Sequence, residues 1–395
     1  MERNKQTMKM IEPAAHIKAI QEYYFSVKLA EVARMNADGL DVVSLAVGAP
    51  DRMPSQETID TLCESARQPD VHAYQPYTGI PELRKAYGDW YKRFYGVELQ
   101  PAEVLPLIGS KEGILHISMT FLNFGDAVLV PNPGYPTYRS VSQLLRAEVR
   151  EYDLLEEKGW EPDFQALEQM DLSRVKLMWV NYPNMPTGAN ATRELFEKLV
   201  AFGRKHDIVI CHDNPYSFIL NDRPLSILSV PGAMETCIEL NSLSKSHNMS
   251  GWRMGMLASN AQFVQWVLKA KSNIDSGQFK PMQLAAVAAL SNSDEWHAEM
   301  NRIYRERRGW AGMIMQLLGC SYDPSQVGLF VWGKLPDEVV SSEALVDDLL
   351  LHARVFLTPG FIFGSNGERF IRISLGASVE KLQEAYRRIK EYMGR

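Results

Sequence analysis

The chain has 395 residues, 46% of them hydrophobic and 23% charged, with a formal net charge of −6. This is the mix of a globular protein with room for two domains and a sizeable core, and it offers no basic surface for nucleic acid. Its four cysteines, Cys63, Cys211, Cys237 and Cys320, stand far apart with no C-x-x-C pair, which argues against a disulfide framework or a zinc site and for reduced thiols in the cytoplasm.

The N-terminus carries Glu2, Arg3, Lys5 and Lys9 with no apolar stretch behind them, so no signal peptide is expected. Apolar residues at three- and four-residue spacing predict a helix over 17–36. Residues 42–47 read as a strand that ends in the turn Gly48-Ala-Pro-Asp51. A strand over 104–108 leads into a helix over 110–124. The apolar run inside that helix is broken by His116, Ser118, Thr120 and Asn123 and is too short to cross a bilayer. Residues 127–130 form a strand closed by Pro131. Short apolar strands at 175–180 and 208–211 bracket a helix over 193–206, and further strands are read at 237–240 and 253–258. Beyond Asn260 the pattern turns helical, through 285–290 and a long charged helix over 296–318. Strands at 328–332, 355–357 and 370–374 follow, and a helix over 379–393 closes the chain. Such β-α alternation predicts an α/β fold with a mostly parallel sheet covered on both faces.

Between the strands at 237–240 and 253–258 lies the polar stretch Asn241-Ser-Leu-Ser-Lys-Ser-His-Asn-Met-Ser-Gly-Trp-Arg253. A lysine on a rigid turn can form an imine with an aldehyde cofactor. Hydroxyls and an arginine suit a phosphate, the planar guanidinium taking two oxygens at once. Lys245, Ser242, Ser244 and Arg253 offer this set. Gly109-Ser-Lys-Glu-Gly113 opens a helix directly after a strand, where unsatisfied N–H groups and the helix dipole favour an anion. Taken alone, Ser110 there is an N-cap. Asp213, at the end of an apolar strand in His212-Asp-Asn-Pro-Tyr216, lies on the binding side of such a sheet. Asn132-Pro-Gly-Tyr-Pro-Thr-Tyr138 places Tyr135 in a proline-braced loop. Arg372, in Arg369-Phe-Ile-Arg-Ile-Ser374, shares a strand face with Phe370 and Ser374 and must be paired, because a buried lone charge is costly.

From about Tyr23 to Arg372 these motifs resemble, in order, those of the class I/II aminotransferases, the pyridoxal-phosphate enzymes of fold type I. The segments 109–113 and 242–253 are especially similar to the alanine and LL-diaminopimelate aminotransferase subgroup. The resemblance implies a large domain with a seven-stranded, mostly parallel sheet over 50–290, and a smaller α+β domain built from 1–49 and 291–395. It implies pyridoxal 5'-phosphate on Lys245, with Asp213 on the ring nitrogen, Tyr216 on the ring's phenolic oxygen and Tyr135 stacked on its face. Ser110 and Lys111 (through their backbone), Ser242, Ser244 and Arg253 are implied for the phosphate. Arg372, Gly48 and Tyr24 are implied for the substrate, whose α-carboxylate Arg372 would clamp. Tyr74, in Tyr74-Gln-Pro-Tyr-Thr-Gly79, is implied to cross a homodimer interface to the partner's phosphate. One position departs: where the family has Asn-Pro-Thr-Gly, this chain has Met185-Pro-Thr-Gly188, so a donor to the phenolic oxygen is missing.

The implied reaction is ping-pong exchange of an amino group between an L-amino acid and a 2-oxoacid such as 2-oxoglutarate, Lys245 carrying the α-proton. The alternative on the same residues is a C–S β-lyase acting on cysteine-type substrates. A cofactor-binding regulator would need a further N-terminal module. The loop 75–78 lacks the carboxylate that plant-type diaminopimelate enzymes have there, which favours alanine or another small neutral donor, although Asp275 or Lys280 could still select a charged side chain.

Overall fold

The computed structural model describes residues 11–18 and 24–394. The expected absence of a signal peptide rests on residues 2–9, outside that range. The helix expected over 17–36 corresponds to Ala15–Lys18 and Tyr24–Ala37, with 19–23 outside the described residues.

Twelve strands are present among the described residues: β1 (Val43–Ser44), β2 (Val104–Leu107), β3 (Ala127–Asn132), β4 (Glu148–Asp153), β5 (Val175–Asn181), β6 (Val209–Asp213), β7 (Cys237–Ser242), β8 (Gly255–Ala258), β9 (Phe330–Lys334), β10 (Val355–Phe356), β11 (Thr358–Pro359) and β12 (Phe370–Ser374). Seven form one sheet in the order β2-β8-β7-β6-β5-β3-β4. All its pairings are parallel except those of β8, which runs antiparallel to both neighbours. The sheet is the seven-stranded, mostly parallel one the resemblance implies.

Successive residues of a strand face opposite sides of the sheet, and both sides are buried. Met178 and Val180 of β5 pack with Leu83, Tyr87 and Tyr91 of the helix Pro81–Tyr95. Leu177 and Trp179 pack with Ile114 and Ile117 of the helix Ser110–Phe121. Burying each such aliphatic side chain stabilises the fold by about 1.5–3 kcal/mol. Short polar residues set the helix starts: the Thr192 hydroxyl accepts from Leu195 N–H, and Ser293 and Ser378 act likewise before Asp294–Leu317 and Val379–Tyr392.

A second sheet, β11-β12-β9, packs with those last two helices, and residues of 32–46 join the same apolar cluster. The strand expected over 42–47 shrinks to β1, which pairs in parallel with β10. Its continuation remains extended, with Leu45 N–H donating to Phe356 and Ser374 N–H to Leu45.

Two further differences have physical causes. β3 does not stop before Pro131. Beyond Leu129 it is paired only with β4, where Pro131 faces Tyr152, so the missing proline N–H is not needed on the other side. β4 escaped the pattern because it is an edge strand on which only Tyr152 is buried.

Candidate active site

The parallel strands end along one edge of the sheet, the edge on which open α/β sheets bind ligands. There β2 runs into Ser110, β3 into Tyr135, β5 ends at Asn181, β6 at Asp213, and β7 runs into Lys245. The chain returns past Arg253 into β8. Together with Phe25, Gly48, Phe330, Phe363 and Arg372, these segments line a cavity of about 330 Å³.

β7 ends at Ser242, whose hydroxyl accepts from Ser244 N–H (3.2 Å) and caps the one-turn helix Leu243–Ser246. Lys245 sits on that turn and its Nζ donates to the Gly48 carbonyl. Burial, aided by the positive charges of Arg253 and Arg372, lowers its ammonium to about 8. A larger share of free amine at neutral pH is what a nucleophilic or proton-carrying lysine requires.

Arg253 Nη1 donates to Ser250 O (2.8 Å) and lies 3.5 Å from Ser244 Oγ. Its guanidinium passes so close to Gly109 that a Cβ there would sit 2.3 Å from Nη2, and Gly109 has φ +77°. Only glycine meets both conditions. Gly109 rather than Ser110 is the N-cap, and Ser110 is the first helical residue. The helix N-terminus, Arg253, Ser242 and Ser244 therefore converge as an anion site.

Asp213 is buried at the end of β6. Its Oδ2 accepts from the Tyr138 hydroxyl at 2.8 Å, while its Oδ1 is buried without a hydrogen-bond partner among the described residues. Burial pushes the carboxyl up to about 6 against the Tyr138 hydrogen bond and the charge of His212. A buried carboxylate oxygen that lacks a donor fits a protonated ring nitrogen. Tyr135 and Tyr216 flank it on the cavity wall. Tyr138 was not foreseen as a site residue. It lies inside the motif that carries Tyr135, and its stacking on Trp179 (5.0 Å, 4°) aims its hydroxyl at Asp213.

Arg372 is buried on β12. Its fork donates to Ala46 O (2.9 Å), Thr358 Oγ1 (3.4 Å) and Met185 Sδ (3.3 Å), and its guanidinium lies 4.0 Å from the Phe330 ring centre. Met185 lines the cavity, and neither nearby asparagine stands in for a donor there. Asn181 donates to Asp213 O and accepts from Met185 N–H. Asn184 accepts from Thr187 and donates to Asn181 O. Met185→Asn is therefore expected to supply a missing donor. In the arrangement the resemblance implies, that donor would stabilise the cofactor's anionic phenolic oxygen and lower the pH at which its visible band titrates, and an unchanged midpoint contradicts this reading.

Three expected site residues are placed differently from the rest. Tyr24 does not line the cavity: its ring packs edge-on against Phe361 (4.9 Å), and its neighbour Phe25 faces the cavity instead. Tyr74 is 91% exposed and stands outside the cavity of its own chain. Lys111 is exposed at the cavity rim. The two candidates for a charged side chain are already engaged. Lys271 Nζ bonds both oxygens of Asp275 (2.7 Å each), and Lys280 pairs with Asp70 (3.2 Å). Glu112, His116 and Asp275 come within 4.8 Å of one another, but the Lys271 ammonium already supplies a cation there.

A half-buried lysine, a buried carboxylate, two guanidiniums and a helix N-terminus around one cavity suit amino-group chemistry. Residues 40–389 match the aminotransferase class I and II family, and the chain belongs to it: it is an aminotransferase. It is 43% identical over 364 residues to an LL-diaminopimelate aminotransferase of Oleidesulfovibrio alaskensis, covering 91% of this chain and 93% of the relative. A relative of the same name from Dehalococcoides mccartyi is 40% identical, covering 95% and 97%. The apo structure of BacF from Bacillus subtilis superposes with a TM-score of 0.91 at 38% identity, covering 97% of this chain and 98% of that one. Among the described residues no helix is long and apolar enough to cross a membrane.

Proposed function

We propose that this aminotransferase uses pyridoxal 5'-phosphate to move an amino group from LL-diaminopimelate, or a donor of similar length, to 2-oxoglutarate. The observation that carries the cofactor is the buried oxygen of Asp213, without a partner among the described residues, at a cavity that also holds Lys245 and Arg253. When bound, the cofactor supplies an electron sink for charge released at the substrate Cα. In this reading Arg253, Ser242, Ser244 and the backbone of Ser110 and Lys111 hold its phosphate. Asp213 holds its ring nitrogen, Tyr216 its phenolic oxygen and Tyr135 its face. Arg372 and the Gly48 N–H bind the α-carboxylate, and Lys245 takes and returns the α-proton. The relatives' names support the longer donor, and the exposed Lys111 ammonium offers a place for a second carboxylate.

The test is a panel of amino donors, with LL-diaminopimelate and alanine as the main arms, against 2-oxoglutarate and pyruvate. Turnover of alanine alone overturns the substrate assignment. Pyruvate formed from a cysteine-type substrate without consumption of an oxoacid establishes the lyase instead.

The exposure of Tyr74 supports a homodimer in which it completes the partner's phosphate site, and the four free cysteines support the cytoplasm as its compartment. The apolar cluster joining 32–46 to 304–389 supports a smaller domain drawn from 1–49 and 291–395, beside a larger one over 50–290. Tyr74→Phe should weaken cofactor retention by about ten- to a hundredfold, the worth of one hydrogen bond to a charged group, with the thermal midpoint unchanged. A monomer by light scattering that turns over at full rate contradicts the shared site.

A further inference from the structure

His212, the residue before Asp213, lies fully buried on the opposite face of β6, and its two ring nitrogens meet two acceptors. Nε2 is 2.8 Å from the Tyr182 carbonyl oxygen, and Nδ1 is 3.0 Å from Glu239 Oε2. A carbonyl oxygen only accepts, so Nε2 bears a proton.

The state of Glu239 decides the other nitrogen. It receives the Tyr91 hydroxyl (2.7 Å), the Ser226 hydroxyl (2.7 Å), Ile227 N–H (3.0 Å) and the Asn214 amide (3.3 Å). Both hydroxyls are themselves oriented by donors, Tyr91 by Asn241 (3.5 Å) and Ser226 by Leu228 N–H (3.1 Å), so their hydrogens point at Glu239. Four donors to its two oxygens favour the charged form over the acid. Glu239 is a carboxylate, Nδ1 also donates, and an imidazole that donates twice is an imidazolium.

We infer that Glu239 holds His212 as a fixed cation and that His212 is a positioning residue for Asp213, keeping that carboxylate charged to receive the protonated ring nitrogen of the cofactor. The inference rests on the cofactor reading above. Stability alone does not account for the pair, since a buried ion pair is often no better than an apolar one of equal volume. The field at Asp213 supports the role. Burial drives its carboxyl up, and the charge of His212 opposes that rise together with the Tyr138 hydroxyl.

The groups around the pair are known. Phe196 of the helix Arg193–His206 packs on His212 (4.9 Å), and Tyr91 and Tyr95 of the helix Pro81–Tyr95 face Glu239 and Asn214. Tyr138, Tyr135 and Tyr216 surround Asp213, and Lys245 and Arg253 share its cavity.

The sign follows. Without the cation, Asp213 protonates at higher pH. A protonated Asp213 cannot pair with a cationic ring nitrogen, so binding weakens as pH falls and recovers as it rises. A unit charge on the adjoining residue of the strand, in an interior that screens poorly, should act on the order of tenfold.

The experiment has two arms. Histidine-selective ¹⁵N NMR of the apoprotein, with the signal assigned by its loss in His212→Asn, should show both ring nitrogens protonated at pH 6 and at pH 8. A neutral tautomer at pH 8 overturns the inference. In the second arm, pyridoxal phosphate affinity is measured at pH 6 and pH 8 for the wild type, His212→Asn and Glu239→Gln. Each variant should lose about tenfold more affinity at pH 6, relative to pH 8, than the wild type does. Lys245 titrates in all three and cancels in the comparison. Equal weakening at both pH values marks a purely structural pair and overturns the role. If His212→Asn does not fold, Glu239→Gln and the wild-type spectrum decide. A wild type that binds no pyridoxal phosphate defeats the cofactor reading instead, and the NMR arm still reports on His212.

Discussion

Lys245→Ala is expected to lower kcat by about 10⁴-fold or more, because in the proposed reading one residue is both attachment point and proton carrier. The expectation follows from its placement. The lysine sits on a one-turn helix at the end of β7, capped by Ser242, where burial and two arginines hold its ammonium near 8. The fold should survive, because Lys245 belongs to none of the apolar clusters and, among the described residues, its Nζ bonds only the Gly48 carbonyl. Borohydride treatment of the wild type followed by peptide mapping should find the cofactor on the 241–253 stretch at Lys245. Label on another lysine, or full turnover in the alanine variant, contradicts the assignment.

Arg372→Leu is expected to raise KM for every amino acid and oxoacid alike. The α-carboxylate is common to all of them, so the loss of its clamp cannot be selective. One lost charged pair in a desolvated site amounts to about 2–5 kcal/mol, or roughly 30- to 5,000-fold in kcat/KM. The guanidinium is well placed for that role. β12 holds it on the cavity wall, Phe330 and Phe363 cover its faces, and its contacts include the neutral acceptors Ala46 O, Thr358 Oγ1 and Met185 Sδ. A neutral acceptor yields to a carboxylate at little cost. Steady-state kinetics on several donors and acceptors check the prediction. An effect confined to one substrate would remove Arg372 from the carboxylate role.

Much of this protein was legible in the chain alone. The alternation of apolar strands and amphipathic helices predicted the parallel sheet, and the helices Arg193–His206 and Val379–Tyr392 fall within a residue of their expected ends. Periodicity and capping are local, so a local reading finds them. Lys245, Asp213, Tyr135 and Arg253 line one cavity because each sits at or beside the end of an apolar strand, and strand ends on one edge of a parallel sheet must meet.

What the sequence could not supply were the pairings between distant residues and the phase of a single helix. Tyr138 and Asp213 are separated by 75 residues, and nothing near either marks the hydroxyl that bonds the carboxylate. Glu239 and His212 become partners only because β6 and β7 lie side by side in register. Asp275 looked available for a substrate, but the turn after the helix Ala261–Lys271 folds it back onto the ammonium of Lys271, a nearby pairing that helix periodicity does not reveal. Tyr24 and Phe25 are adjacent, yet about 100° of helix rotation separates their side chains, so the tertiary packing of one helix decided which of the two faces the cavity.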